Sequence, residues 1–167
     1  MTKGLLMLGL SAVLALQGTF AFAQVGDKPA GDPRVERLLD AADLNYEVDD
    51  DDDFRLLIEF NDGRSQLVWV LSNTTELDAL DIRELWSIAY RSDSPLPARV
   101  ARRLLSQNAN VKIGAWQTRK MGDEYVALFS AQIAADTDPA TLVSVVQAVS
   151  ATADEMEIEL TGGTDEL

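Results

Sequence analysis

The stretch Phe54 to Leu71, FRLLIEFNDGRSQLVWVL, constrains the fold more than any other part of the chain. Phe54, Leu56, Ile58 and Phe60 alternate with Arg55, Leu57 and Glu59, the period of two that a half-buried strand requires. Asn61-Asp62-Gly63 interrupts the run and apolar residues then resume. Strands joined by so short a turn are antiparallel neighbours, because a parallel return needs a crossover of about a dozen residues or more. A two-residue Asp62-Gly63 loop is the expected turn. It sets Ile58 opposite Leu67, Leu56 opposite Trp69 and Phe54 opposite Leu71, large beside large on one face. The other face then carries Leu57 with Val68, Arg55 with Val70 and Glu59 with Gln66. Leu67 to Leu71 is apolar on both sides, so a central strand with a partly covered second face is expected.

The elements around this hairpin follow from their own signals. Asp32-Pro33 is a helix start, and Val35, Leu38, Leu39 and Ala42 recur at helical spacing to about Leu44. Asn73 to Asp81 reads as a polar loop. Arg83 to Arg91 alternates Trp86, Ile88 and Tyr90 against Leu85, Ser87 and Ala89, a third strand, with a short helix as the competing reading. From Leu96 to Asn108, Leu96, Val100, Ala101, Leu104 and Leu105 share one helix face, with Arg99, Arg102 and Arg103 outside. Asn108-Ala109-Asn110 stops that helix. Val111 to Lys120 and Tyr125 to Ala134 make a second strand pair around Met121-Gly122-Asp123-Glu124. Asp138-Pro139 starts a last helix, whose Leu142, Val146, Val149, Ala153, Met156 and Leu160 form one apolar seam that Gly162-Gly163 ends. The order is α-β-β-β-α-β-β-α. It specifies an α+β domain with an antiparallel five-stranded sheet and helices mainly on one face.

The first residues read as an export signal. Lys3 precedes the apolar run Gly4 to Leu16, which is short for a membrane span, and Ala21-Phe22-Ala23 fits a cleavage site after Ala23. An uncleaved anchor is the alternative. Gln24 to Gly31 is a polar leader expected to be mobile, residues 32–163 form a single domain, and 164–167 are a tail. The protein is expected to be periplasmic or secreted and free of the membrane after cleavage. It has no cysteine, so its stability rests on packing rather than on disulfides. The chain holds 14 basic and 28 acidic residues, a net charge of −14. Such a surface repels phosphate backbones and argues against nucleic acid as a partner.

The order of elements, with LPARVARRLLSQNANVKIGAW at its centre, resembles the YbjN-like family of bacterial proteins. It is more distantly similar to type III secretion chaperones. Leu104, Leu105, Asn108 and Gly114 carry the likeness, together with the hairpin from Phe54 and Ala153-Asp154 in the last helix. The resemblance covers about Pro33 to Leu160. It implies a chaperone-like fold, a homodimer and a binding role without catalysis. This chain departs from secretion chaperones in being exported, so only the fold and the tendency to bind protein carry over.

The residue inventory narrows the chemistry. With no His and no Cys, Ser–His and Cys–His nucleophile pairs and the usual zinc and copper sites are excluded. No Gly-rich phosphate loop is present, no Ser–Lys pair sits in a recognisable motif, and no cofactor is expected. Asp49 to Asp53 is the one calcium-like feature. Yet Phe54 and Phe60 stand where a calcium loop wants Gly and Glu, which favours a solvated acidic bend. The expected function is a non-enzymatic, protein-binding domain with an adaptor or chaperone-like role. Its partners would be a second copy of itself or another envelope protein. The alternative is a small-molecule or ion-binding module. The contact is expected at the second sheet face, Leu57, Val68 and Val70, or at the basic strip of Arg99, Arg102 and Arg103.

Overall fold

The structure, a computed structural model, describes residues 31–165. The cleavage signal and all of the leader except Gly31 lie outside the described residues. Three helices, α1 (Pro33–Ala41), α2 (Ala98–Asn108) and α3 (Pro139–Thr161), accompany β1 (Glu47–Val48), β2 (Phe54–Glu59), β3 (Ser65–Leu77), β4 (Leu80–Ser92), β5 (Ala115–Met121) and β6 (Glu124–Ala134). The strands form one antiparallel sheet in the order β1-β2-β3-β4-β6-β5. The sheet thus has six strands rather than five. The extra strand is the two-residue β1, which pairs Glu47 with Arg55 and Val48 with Phe54.

The expected loop between Asn73 and Asp81 is instead the far end of a long hairpin, with Leu77 paired directly to Leu80. Asp78 adopts φ 51° in its two-residue turn, a conformation that Asp tolerates better than most residues. The reading of Arg83 to Arg91 as strand, rather than helix, holds.

The helices cover one face. The expected seam of α3 packs there, with Leu142, Val146, Val149, Ala153 and Met156 buried against Val68, Val70, Leu85, Ala127, Phe129 and Ala131 of the sheet. Val35 and Leu39 of α1 and Val100 and Leu104 of α2 complete this core. Gly162 ends α3 in the left-handed region at φ 75°, as a helix stop requires. Gly114 precedes β5 at φ 78°, where a Cβ would come within 2.4 Å of the Ser130 carbonyl oxygen. Only glycine lets the chain from α2 enter the sheet so close to β6. Asn108 then lines up the new strand: its Oδ1 accepts from the Trp116 N–H at 2.6 Å and its Nδ2 donates to the Trp116 carbonyl.

Two polar networks fix the helices to the sheet. At one end β3 bulges between Val70 and Thr74. Arg83, 1% exposed, fills the bulge. Its Nη1 donates to the carbonyls of Leu71 and Ser72, and its Nη2 pairs with Asp32 at 2.6 Å. Asp32 caps α1 by accepting from the Arg34 N–H at 2.8 Å, and its own N–H donates to Ser72 Oγ at 2.9 Å. Burial would raise the Asp32 carboxyl, but hydrogen bonds from Arg34 and Arg83 outweigh it and hold the group far below the usual carboxylate range. At the other end Arg64 donates to Asp154 at 2.7 Å and Glu157 at 2.8 Å, which ties the β2–β3 turn to α3.

Breaking the first network is expected to be costly. Arg83→Ala leaves the two bulge carbonyls without their donor and leaves Asp32 with Arg34 as its one remaining arginine, and should lower unfolding free energy by about 2–4 kcal/mol in a denaturant titration. Because the folded value of Asp32 lies below its unfolded one, its contribution is complete above about pH 4. It is lost as pH falls from there. Asp32→Asn should therefore flatten the fall in melting temperature between pH 4 and pH 2. Asp53 has the opposite sign: burial, then the neighbouring Asp49, Asp51 and Asp52, raise its carboxyl. Its ionised form opposes folding, so Asp53→Asn should raise the melting temperature at pH 7 more than at pH 4.

Candidate interaction face

The side of the sheet opposite the helices is built by the alternate residues of every long strand. It begins at the β2–β3 turn. Phe60 N–H donates to the Arg64 carbonyl at 2.8 Å and Gly63 N–H to the Phe60 carbonyl at 3.1 Å, with Gly63 at φ 84°. The loop is thus three residues, Asn61-Asp62-Gly63, closed by a glycine bulge, rather than the expected two. One extra loop residue shifts the pairing by one. Phe54 lies opposite Val70, Leu56 opposite Val68, Leu57 opposite Leu67 and Ile58 opposite Gln66.

That shift exchanges the two faces of β3. Val68 and Val70, expected on the open face, are fully buried beneath the helices. Leu67, Trp69 and Leu71 take their place. Leu57 is on the open face as expected and is 56% exposed. Gln66, expected outside, is fully buried. Its amide donates to Glu157 at 3.3 Å and its carbonyl accepts from Ser87 at 3.0 Å. The large-with-large rule missed this register because the groups that compensate Gln66 lie on β4 and, 91 residues away, on α3.

Trp69 stacks on Trp86 at the middle of the open face, ring centroids 4.3 Å apart and planes 12° from parallel. Ile88, Val126 and Leu128 are buried beside the pair, with Leu71 and Met121 packed against them. None of the described helices packs against these residues. Toward β2 the strip opens into a depression of about 400 Å3 lined by Asn45, Tyr46, Glu47, Arg55, Leu57 and Leu67. Toward the β3–β4 turn it continues to Leu77 and Leu80, 57% and 55% exposed.

Three arginines around this strip are paired with glutamates. Arg55 pairs with Glu47 at 2.7 Å, Arg91 with Glu124 at 3.1 Å, and Arg119 with Glu84, which also accepts from Ser130. Three arginines meet three glutamates on the face of a chain whose net charge is −14. Glu59, exposed on the same face at the end of β2, has no ion-pair partner among the described residues, so the apolar strip lies in a frame with one carboxylate in excess.

The other expected contact residues sit elsewhere. Arg99, Arg102 and Arg103 belong to α2, on the helix side. Arg103 is engaged by Glu159 of α3 through three bonds of 2.7–3.0 Å, which lower the Glu159 carboxyl. Arg99 and Arg102 have no carboxylate partner among the described residues. The structure therefore does not join Leu57 to the arginines in one site.

The acidic run is the β1–β2 turn. Asp49 accepts from the Asp51 and Asp53 N–H groups at 3.1 and 3.0 Å, and Asp53 accepts from the Ser72 N–H at 2.7 Å. These carboxylates serve their own turn and the β3 bulge. Among the described residues, no cluster of acidic side chains is arranged to hold a metal ion.

Comparison with known proteins gives the family of the chain. A search of curated proteins gave no match. Among solved structures, the chain is similar to the crystal structure of YbjN from E. coli, described there as "a putative transcription regulator". The two are 11% identical, the likeness covers 81% of this chain and 94% of that one, and the TM-score is 0.49. Residues 32–160 match the sequence model of a family described as "Putative bacterial sensory transduction regulator", so the chain belongs to the YbjN family.

Proposed function

We propose that this chain is a non-enzymatic protein-binding domain with an adaptor or chaperone-like role. It is exported, and it works as a homodimer through the face of its sheet opposite the three described helices. One observation carries the reading: the apolar strip from Leu57 and Leu67 through Trp69 and Trp86 lies in a frame of three mutually paired arginines and glutamates. Two copies at a net charge of −14 repel each other at long range. This face brings only one surplus carboxylate, Glu59, from each copy, and burying its exposed leucines supplies the drive. A face that meets its own image is self-complementary, as a two-fold dimer requires. The family description of a regulator fits a domain that acts by contact rather than turnover. Export rests on the Lys3 to Ala23 segment and would give an N-terminal sequence beginning at Gln24.

Sedimentation of the full domain tests the dimer. The account expects a dimer at tens of micromolar that tightens with added salt, because salt screens the repulsion and leaves the apolar contact. Leu57→Asp with Leu67→Asp should give a folded monomer. Val68→Asp should instead lower stability by about 3 kcal/mol or more, since it buries an unpaired charge in the core. A monomeric parent, or a double variant that dimerises as well as the parent, contradicts the proposal.

A further inference from the structure

α2 has a second, outward face that the core does not use. Val100 and Leu104 point inward and are buried, while Ala101 and Leu105, expected on the same face, are exposed together with Ala98. Their spacing of three and four residues makes them one stripe along the helix. Leu105 is 70% exposed, more than any other large apolar residue among those described. Arg99 and Arg102 flank the stripe and are exposed as well.

The charge of this corner is unlike that of the rest of the molecule. The described residues include twelve lysines and arginines. Seven of them (Arg34, Arg55, Arg64, Arg83, Arg91, Arg103 and Arg119) are held in ion pairs. Of the remaining five, Arg99, Arg102, Lys112 and Lys120 all lie on α2, on β5 or on the loop between them, and only Arg37 lies elsewhere. α2 is fixed beside β5 by hydrogen bonds from Trp116 to Gln107 and Asn108, so these cations share one edge of the molecule. An acidic segment is repelled by the bulk of a chain of charge −14 and attracted here.

We propose that the outward face of α2 docks an acidic amphipathic helix of a partner protein. Its leucines would lie over Ala98, Ala101 and Leu105, and its carboxylates on Arg99, Arg102 and Lys112. The alanines let a second helix approach closely, and the arginines offer paired N–H donors to carboxylates. A second copy is a poorer occupant, because antiparallel contact of α2 with its own image sets arginine against arginine. The inference goes beyond the dimer face and does not depend on it.

The test uses the full chain and a fluorescent synthetic helix of about five turns, with leucine at every third or fourth position and glutamate at most others, read by anisotropy. Binding is expected to be saturable and to weaken as salt rises, opposite to the dimer. Arg99→Glu with Arg102→Glu, and separately Leu105→Asp, should raise Kd by about tenfold or more. Leu57→Asp with Leu67→Asp should leave it unchanged, and a peptide with lysine for glutamate should not bind. Arg99, Arg102, Leu105 and Leu57 are exposed and Leu67 is half-buried, and circular dichroism checks that each variant is folded. Equal affinity of the arginine variant, or no saturable binding, overturns the proposal. So does conversion of a dimer to monomer by Leu105→Asp, which would assign this face to a second copy. Failure here leaves the sheet-face reading standing, because that reading is measured by sedimentation.

Discussion

The guanidinium of Arg83 in the β3 bulge is the interaction on which the rest of the arrangement depends. A long antiparallel hairpin leaves the sheet plane only if the carbonyls freed at the bend find donors. Arg83 supplies them to Leu71 and Ser72 and is neutralised by Asp32, which in turn caps α1. Ser72 joins the same point to the β1–β2 turn through Asp53. Helix start, strand bend and acidic turn are thus one hydrogen-bonded unit. Beyond the bulge, β3 and β4 continue without β2 as an arm that carries Leu77 and Leu80.

Charge organises the surface in the same economical way. A chain with twice as many acids as bases cannot pair all its carboxylates, but it distributes its cations unevenly. Some arginines pair with glutamates on the open face of the sheet, and some lock helices to strands. A small group along α2 and β5 remains unpaired. Each group suits a different contact: a nearly neutral apolar strip favours its own kind, and an unpaired basic strip favours an acid. Raised ionic strength strengthens the first contact and weakens the second.

Much of this fold is legible in the sequence because its signals are local. Asp32-Pro33 and Asp138-Pro139 start helices where expected, and Gly162 stops one. The α3 seam is buried as its spacing requires. The likeness-bearing residues of the central stretch also gain physical reasons: Leu104 packs, Asn108 aligns β5, and Gly114 clears the Ser130 carbonyl. What the sequence hides is non-local. The β3 bulge needs Arg83 and Asp32, residues far apart in the chain. The hairpin register turns on whether a buried Gln66 can be satisfied, which only α3 and β4 decide. A rule that matches large residues with large ones placed Val68 and Val70 on the open face. β3 does carry apolar residues on its second face, but they are Leu67, Trp69 and Leu71.

The register of β2 against β3 therefore decides which residues the open face presents, and interstrand proton contacts read it directly. Because Phe60 and Arg64 share a hydrogen bond, the pairs Leu57–Leu67 and Arg55–Trp69 fall at the non-hydrogen-bonded positions, where opposed Hα atoms come closest. Strong nuclear Overhauser effects are expected between the Hα protons of Leu57 and Leu67 and between those of Arg55 and Trp69. Strong Hα contacts that instead pair Ile58 with Leu67 and Leu56 with Trp69, the non-hydrogen-bonded positions of the two-residue-loop register, would return the valines to the open face and contradict the account.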